Sequence, residues 1–186
     1  NFFKSIFFFP YLINGVAISL MFLFFFQPEG TLDTVMKIFG LEKYITLWLG
    51  NENVVNYSLA FTSIWRYIGY SFIIFLGAMQ SVSTEVLEAA EIDGCNKYKI
   101  FFNLMLPLVK PGLATLAIYN GVAIWNEFSF ALVLTQTLPN RTLPLAIWEY
   151  QGQYTMNVPM IMAVLTISML PMIIAFIFGQ DKLIKG

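Results

Sequence analysis

The sequence predicts an all-α, polytopic membrane helix bundle, and three observations carry that prediction. Of its 186 residues, 58% are hydrophobic and only 11% charged, whereas soluble domains carry about a quarter charged residues. Uncharged apolar stretches recur at lengths near the ~20 residues a helix needs to cross a bilayer. Lys and Arg are also distributed unevenly among the segments between those stretches. The same composition narrows the chemistry. A net charge of −1 excludes a general nucleic-acid surface, which requires clustered cations. With no His and the single Cys95, the chain offers no zinc site, no internal disulfide, and little of the equipment for hydrolytic or redox catalysis.

Four spans follow in order. Residues 5–26 are uncharged and rich in Phe, Leu and Ile. Residues 54–80 contain one charge, Arg66, residues 109–134 have Lys110 at their edge and only Glu127 beyond it, and residues 157–179 have none. Pro10 and Pro171 fall inside the first and last, which membrane helices tolerate when neighbours satisfy the freed carbonyl. Lys4, Lys97, Lys99, Lys110, Lys182 and Lys185 fall on one side of this arrangement, and Lys37, Lys43 and Arg141 on the other. The positive-inside rule then puts both termini and the loop 81–108 in the cytoplasm and the loops 27–53 and 135–156 outside. In the first outer loop, Leu32, Val35, Met36 and Phe39 have the spacing of a short helix, either lying on the membrane surface or packed on its own domain. The chain starts abruptly at "NFFKSIFFFPYL" without Met, so it is read as a fragment with upstream segments missing.

The loop 81–108 is the most polar stretch. Ser83 or Thr84 is placed to cap a helix whose first turns carry Glu85, Glu88 and Glu91, carboxylates suited to a positive helix N-terminus. Asp93-Gly94 supplies a turn where Gly can take positive φ. A second helical pattern through Tyr98, Phe101, Phe102 and Met105 runs to Pro107. The expectation is a helix–turn–helix across the cytoplasmic face, with small Ala89 and Ala90 admitting a partner's backbone. An ordinary connecting loop is the plainer alternative.

The spacing Glu88-Ala89-Ala90, three residues, Gly94, nine residues, then Leu104-x-Leu106-Pro107 resembles the EAA loop of permease subunits in ABC importers. The resemblance extends over nearly the whole chain and points to the carbohydrate, maltose-type branch. "FFFPYLINGVAISLMFLFF" is similar to the first of the paired permeases in such systems, whereas "IWNEFSFALVLT" and "RTLPLAIWEYQGQY" are more similar to the second. It implies a type I ABC importer permease fold in a single transmembrane domain over residues 1–186, in a bacterial-type cytoplasmic membrane. Glu88, Ala89, Ala90, Asp93, Gly94, Leu106 and Pro107 would then form the coupling element that docks on a separate ATPase.

A sugar path needs hydroxyl-pairing groups beside aromatic rings, and the spans offer many, among them Asn14, Trp65, Tyr119 and Trp125. The resemblance assigns sugar-contacting positions to Tyr11, Gly15, Ser63, Arg66, Tyr67, Tyr70 and Asn120, with one more at Asn126 or Glu127. Arg66 and Glu127 each lie about 25–30 Å from the cytoplasmic end, at ~1.5 Å per residue. Charges at such depth face an interior or one another. They are expected either to pair near the outer mouth or, for Arg66, to reach the outer headgroups.

No G-x-x-x-x-G-K-[ST] phosphate loop is present, so ATP hydrolysis is expected elsewhere. The resemblance implies two ATPase subunits that bind ATP and Mg, a second and related permease, an extracytoplasmic sugar-binding protein and a surrounding lipid bilayer. No cofactor or metal is expected in this chain. An importer for a non-sugar solute such as amino acids or peptides is the alternative. A membrane enzyme is disfavoured because Glu127 and Ser129 have no His or paired acid beside them.

Overall fold

The structure of the protein, a computed structural model, describes residues 2–135, 140–150 and 157–184. Lys185, the side chain of Lys182 and the "QGQY" of the outer loop lie outside the described residues. Every regular element among the described residues is helical.

The first expected span is two helices. α1 (Phe2–Leu12) and α2 (Gly15–Phe26) meet at 95°. The break has a local cause. The backbone of Asn14 is extended, and its side-chain oxygen accepts the Val16 N–H at 2.8 Å, which caps a new helix rather than continuing the old one. Residues 5–26 are therefore apolar enough to span but do not form one straight rod. α3 (Thr31–Ile38) follows, then a single 3₁₀ turn at Glu42–Tyr44. α4 (Val55–Gln80) matches the second expected span over 26 residues without a break.

α5 (Thr84–Ile92) opens the polar loop. Ser83 stands at its N-cap position, but its side chain makes no capping bond. After a turn, α6 (Lys97–Lys99) passes through a π-helical stretch, Ile100–Met105, into α7 (Leu106–Leu108). The wider π turn fits a stretch that must bury Ile100 while Phe102 stays exposed. The Lys97–Leu108 rod bends by 64° into α8 (Lys110–Trp125), with which it is apolar enough to count as one broken span. The loop expected at 81–108 is thus an exposed α5 and turn, followed by the lower half of a bent membrane helix. The third span also ends early. Asn126–Phe128 interrupt it, and α9 (Ser129–Leu134) is a separate short helix. α10 (Leu143–Tyr150) precedes α11 (Val158–Ile184), which carries Pro171 internally.

Ile18, Phe22 and Phe26 of α2 pack with Phe130 and Leu134 of α9 and with Leu49 from the first outer loop. Trp65 joins this core, its ring 5.3 Å from Phe22 in an edge contact, and so does not stand in the path. α1 and α4 are in close contact at Gly69, where an added Cβ would lie 1.6 Å from the Phe7 carbonyl oxygen. That carbonyl occupies the space of the missing side chain. The outer loop docks on its own domain rather than only on the lipid surface. Leu32 packs on the core, and the carboxylate of buried Asp33 accepts both the Glu29 N–H (2.9 Å) and the Trp48 indole N–H (2.7 Å). Many large side chains remain uncovered, Phe2, Phe9, Ile64, Ile68 and Phe178 among them, a surface that calls for lipid or other chains.

Candidate solute path and coupling loop

Two groups of residues from α1, α4 and α8 converge. The first is a tyrosine cluster. Tyr11 stacks on Tyr70 with centroids 4.5 Å apart and rings 18° from parallel, and meets Tyr67 edge-on at 6.0 Å. Tyr119 joins through a hydroxyl–hydroxyl bond to Tyr11 at 3.1 Å and a ring contact to Tyr70 at 5.5 Å. The cluster forms because α1 runs antiparallel along α4, seated by the Gly69 contact one residue from Tyr70.

The second is a cavity of about 480 Å³ lined by Ser63, Tyr67 and Ser71 of α4, Asn120 of α8, Glu127 and Thr142, with apolar walls from Leu59, Ile64, Ile68, Ile124 and Phe130. Tyr67 belongs to both groups. The Asn120 amide donates to the Ser71 hydroxyl at 2.8 Å. The Asn120 carbonyl oxygen, the Thr142 hydroxyl and the Arg66 Nε are buried without hydrogen-bond partners.

The two intramembrane charges are neighbours of one short helix rather than a direct pair. The Glu127 carboxylate accepts the Phe130 N–H at 2.8 Å and so satisfies the first turn of α9. The Arg66 guanidinium lies 5.5 Å from the Tyr67 and Phe130 ring centroids, distances at which a cation is attracted to a ring face. It also occupies the space beside Gly15, where an added Cβ would come within 2.9 Å of Nη1. Among the described residues no Arg66–Glu127 ion pair forms. Of the two readings the sequence left open, a direct pair or an Arg66 that reaches the headgroups, the direct pair is not formed: Glu127 bonds to Phe130, and Arg66 lies over two rings.

Asn126 stands apart. Its amide donates to the Val122 carbonyl at 2.9 Å, and it faces a different cavity of about 400 Å³ shared with Trp125, Ser168 and Met172. Of the two positions left open for the third span, only Glu127 reaches the cavity that holds Ser63 and Tyr67. Ser71, Phe130 and Thr142 were not picked out from the sequence. Ser71 carried a signal, since it lies one helical turn beyond Tyr67.

At the other end, α5 has no buried residue. Leu87 and Ala90 are half-buried on the inward side, whereas Glu88 and Ala89 are exposed, and Ile92 and Tyr98 are 86% and 79% exposed. Gly94 has φ +76°, the left-handed geometry expected of it. Around it the Cys95 N–H returns to the Ala90 carbonyl at 3.0 Å and the Gly94 N–H to Glu91 at 3.0 Å, closing the helix end in the manner of a Gly-terminated cap. Asn96 then accepts the Lys99 N–H at 2.8 Å and starts the next helix. Asp93 caps the end of α5 through its backbone, and half-buried Leu106 with Pro107 lies at the far end of the following helical rod, beside the bend into α8.

Comparison with known proteins agrees with this architecture. Over 146 residues, 76% of this chain and 53% of the relative, it is 45% identical to protein ORF2 of Caldicellulosiruptor sp. (strain Rt8B.4), an ABC transporter permease by its given name. It is 35% identical over 121 residues to the melibiose/raffinose/stachyose import permease protein MelC of Bacillus subtilis (strain 168), covering 64% of this chain and 44% of that one. The chain spans about half the length of the curated relatives it matches. Its fold is shared with a chain of a bacterial ABC transporter involved in the import of the acidic polysaccharide alginate, at a TM-score of 0.84 and 18% identity, over 98% of this chain and 64% of that one. A second structure of the alginate transporter contains a pentasaccharide-bound periplasmic protein. The model of the binding-protein-dependent transport system inner membrane component matches residues 1–186, and the chain belongs to that family.

Proposed function

We propose that this chain is the membrane-spanning permease subunit of an ATP-driven sugar importer. In this reading Ser63, Tyr67, Asn120 and Glu127 line the solute path, and the tyrosine cluster of Tyr11, Tyr67, Tyr70 and Tyr119 narrows it toward the cytoplasm. The observation that carries the reading is the cavity of about 480 Å³ between α4, α8 and α9. Its apolar walls carry a few convergent hydroxyl and amide groups, the composition that covers a sugar's apolar faces and pairs its hydroxyls. The three sugars named for MelC and the polysaccharide named for the alginate transporter support the solute class.

Coupling is assigned to the exposed α5 and its Gly94 turn, with Glu88, Ala89, Ala90, Asp93, Leu106 and Pro107. Two ATPase subunits would bind ATP and Mg, and a second permease would complete the path. A periplasmic sugar-binding protein, of the kind found with the alginate transporter, would deliver solute to the outer loops. ATP-driven closure of the ATPases would move α5 and, through the bend at Val109, tilt α8.

The test is ATP-dependent uptake by the reconstituted assembly with its binding protein, across melibiose, raffinose, stachyose and an alginate trisaccharide, with glutamine and a dipeptide as non-sugar controls. Accumulation of a saccharide that needs both ATP and the binding protein is the expected result. Uptake of the controls alone would replace the sugar reading with that of an amino-acid or peptide importer.

A further inference from the structure

The short helix α3 presents three faces. Leu32, Asp33 and Met36 turn inward: Leu32 packs on the core, Asp33 is buried and Met36 is half-buried. Thr34 and Lys37 form a polar, exposed face. Val35, Ile38 and the following Phe39 share a third face at helical spacing, and it is apolar and uncovered, with Ile38 76% and Phe39 74% exposed. Leu41, Tyr44 and Leu47 are exposed just beyond it. Docking on the domain uses the first face alone, so the third calls for an apolar neighbour of its own.

The level at which α3 is held identifies that neighbour. α4 has 26 residues, ~39 Å at ~1.5 Å per residue. The hydrocarbon core of a bilayer is about 30 Å thick, so the ends of α4 stand in the headgroup zones. Ser58, one turn into α4, donates to the Trp48 carbonyl at 2.9 Å, and the Trp48 indole donates to Asp33 of α3 at 2.7 Å. Two hydrogen bonds thus tie α3 to the first turns of α4. Between the two helices lies an apolar recess of about 280 Å³ whose lining includes Leu32, Tyr57 and Phe61. Tyr57 and Phe61 are themselves exposed, so the recess continues the apolar surface of α4 onto α3. A tyrosine at that level is where aromatic belts form. The charges agree. Lys37 lies in the last turn of α3, and the Lys43 ammonium lies 4.8 Å from the Tyr44 ring centroid. Both lysines are exposed, against Glu42 as the one exposed acid in residues 31–48. An apolar stripe flanked by lysines that can reach phosphates is the composition of a helix lying in a membrane interface.

We propose that α3 and the turn after it form a membrane-surface anchor. Val35, Ile38 and Phe39 enter the boundary between headgroups and acyl chains, and Lys37 and Lys43 reach the phosphates of anionic phospholipid. The membrane surface and the chain's own domain stood as alternatives in the sequence, and α3 has a face for each. The anchor goes beyond the solute-path reading and holds whichever solute is carried.

The experiment places the permease, assembled with its partner subunits, in nanodiscs of phosphatidylcholine with a quarter phosphatidylglycerol. In a Cys95→Ser background, a nitroxide is attached to Thr34→Cys, Val35→Cys, Ile38→Cys or Phe39→Cys, one at a time. Collision with oxygen, which partitions into lipid, is compared with collision with a water-soluble nickel chelate. The oxygen-to-nickel ratio should be several-fold higher at Val35, Ile38 and Phe39 than at Thr34. Ratios at Ile38 and Phe39 equal to that at Thr34 would mean a face open to water and would overturn the inference. Low collision with both reagents would mean a face covered by protein and would overturn it equally. Nickel collision at Ile38 should also fall when phosphatidylglycerol is added to pure phosphatidylcholine, and Lys37→Gln with Lys43→Gln should abolish that fall. A response unchanged by the two substitutions overturns the phosphate contact. Should a nitroxide disturb assembly, the unlabelled cysteines are reacted with a charged, impermeant maleimide and with N-phenylmaleimide. Selective reaction of Ile38→Cys with the apolar reagent supports the anchor, and reaction with both or with neither overturns it.

Discussion

At the scale of single residues, Glu127 and Gly69 make the clearest predictions. Glu127 bonds to the Phe130 N–H and forms no ion pair with Arg66. Glu127→Ala should therefore lower the thermal stability of the purified assembly by about 1 kcal/mol, the typical worth of a helix-end cap. Glu127→Gln, which keeps an acceptor, should cost less. Exchanging the two residues, with Arg66→Glu and Glu127→Arg together, should not restore what either change loses. Recovery in the double variant would show that the ion pair matters after all. At Gly69 an added methyl would meet the Phe7 carbonyl oxygen at 1.6 Å, whereas at Gly77 it meets nothing within 4 Å. Gly69→Ala should cost about 3 kcal/mol or more through forced separation of α1 and α4. Gly77→Ala should be neutral or stabilising by up to about 1 kcal/mol. Thermal melts in detergent compare the two directly. Glycine alone does not reveal which face of a helix meets a neighbour, so the sequence by itself gives no reason to rank Gly69 above Gly77. Ser63, Tyr67, Asn120 and Glu127 were legible because polar groups within apolar spans are rare and stand out by residue type. Thr142 was not, since it lies in a polar segment where a threonine carries no contrast.

At the scale of elements, α5 and its turn were legible almost to the residue. Three constraints coincide there: acids in the first turns, small alanines, and a Gly that must take positive φ. Gly94 has φ +76° and open space around it, so a side chain would be opposed by backbone conformation and not by a clash. Gly94→Val should strain the turn by about 1–2 kcal/mol. On the proposed coupling role, it should also lower co-purification of the ATPase and solute-stimulated ATP hydrolysis together. Wild-type values of both would remove the turn from the coupling path. The breaks within the first and third spans were not legible from hydropathy, because a uniformly apolar run contains no signal for direction. Asn14 held the signal, since a lone Asn in an apolar run is a capping residue as much as a polar wall. The interruption at Asn126–Phe128 follows the same logic, with Glu127 turned to the helix after it.

At the scale of the whole molecule, α4 is the shared wall. α1 runs along it at Gly69, the core formed by α2 and α9 meets it through Trp65, and α8 meets it through the Asn120–Ser71 bond. The cavity and the tyrosine cluster both abut it, and its lower end leads within a few residues to α5. On the proposed coupling role, a movement of α5 would be passed on at both ends of its loop, through Gln80 into the cavity wall and through the Lys97–Leu108 rod into α8. Uptake and ATP hydrolysis should then fail together in coupling-loop variants, whereas a cavity variant such as Ser63→Ala should alter solute preference and leave basal hydrolysis near wild type. Trp125 adds a further tie, its indole donating to the Ser168 carbonyl at 3.1 Å and joining α8 to α11.

The bond from Trp48 to buried Asp33 has a use beyond holding the outer loop. An indole whose N–H is locked to a carboxylate emits differently from one released to water. A chain retaining Trp48 alone among its four tryptophans would carry a built-in optical sensor of the segment between α3 and α4. Its glow would register, without any added dye, any event that breaks that bond.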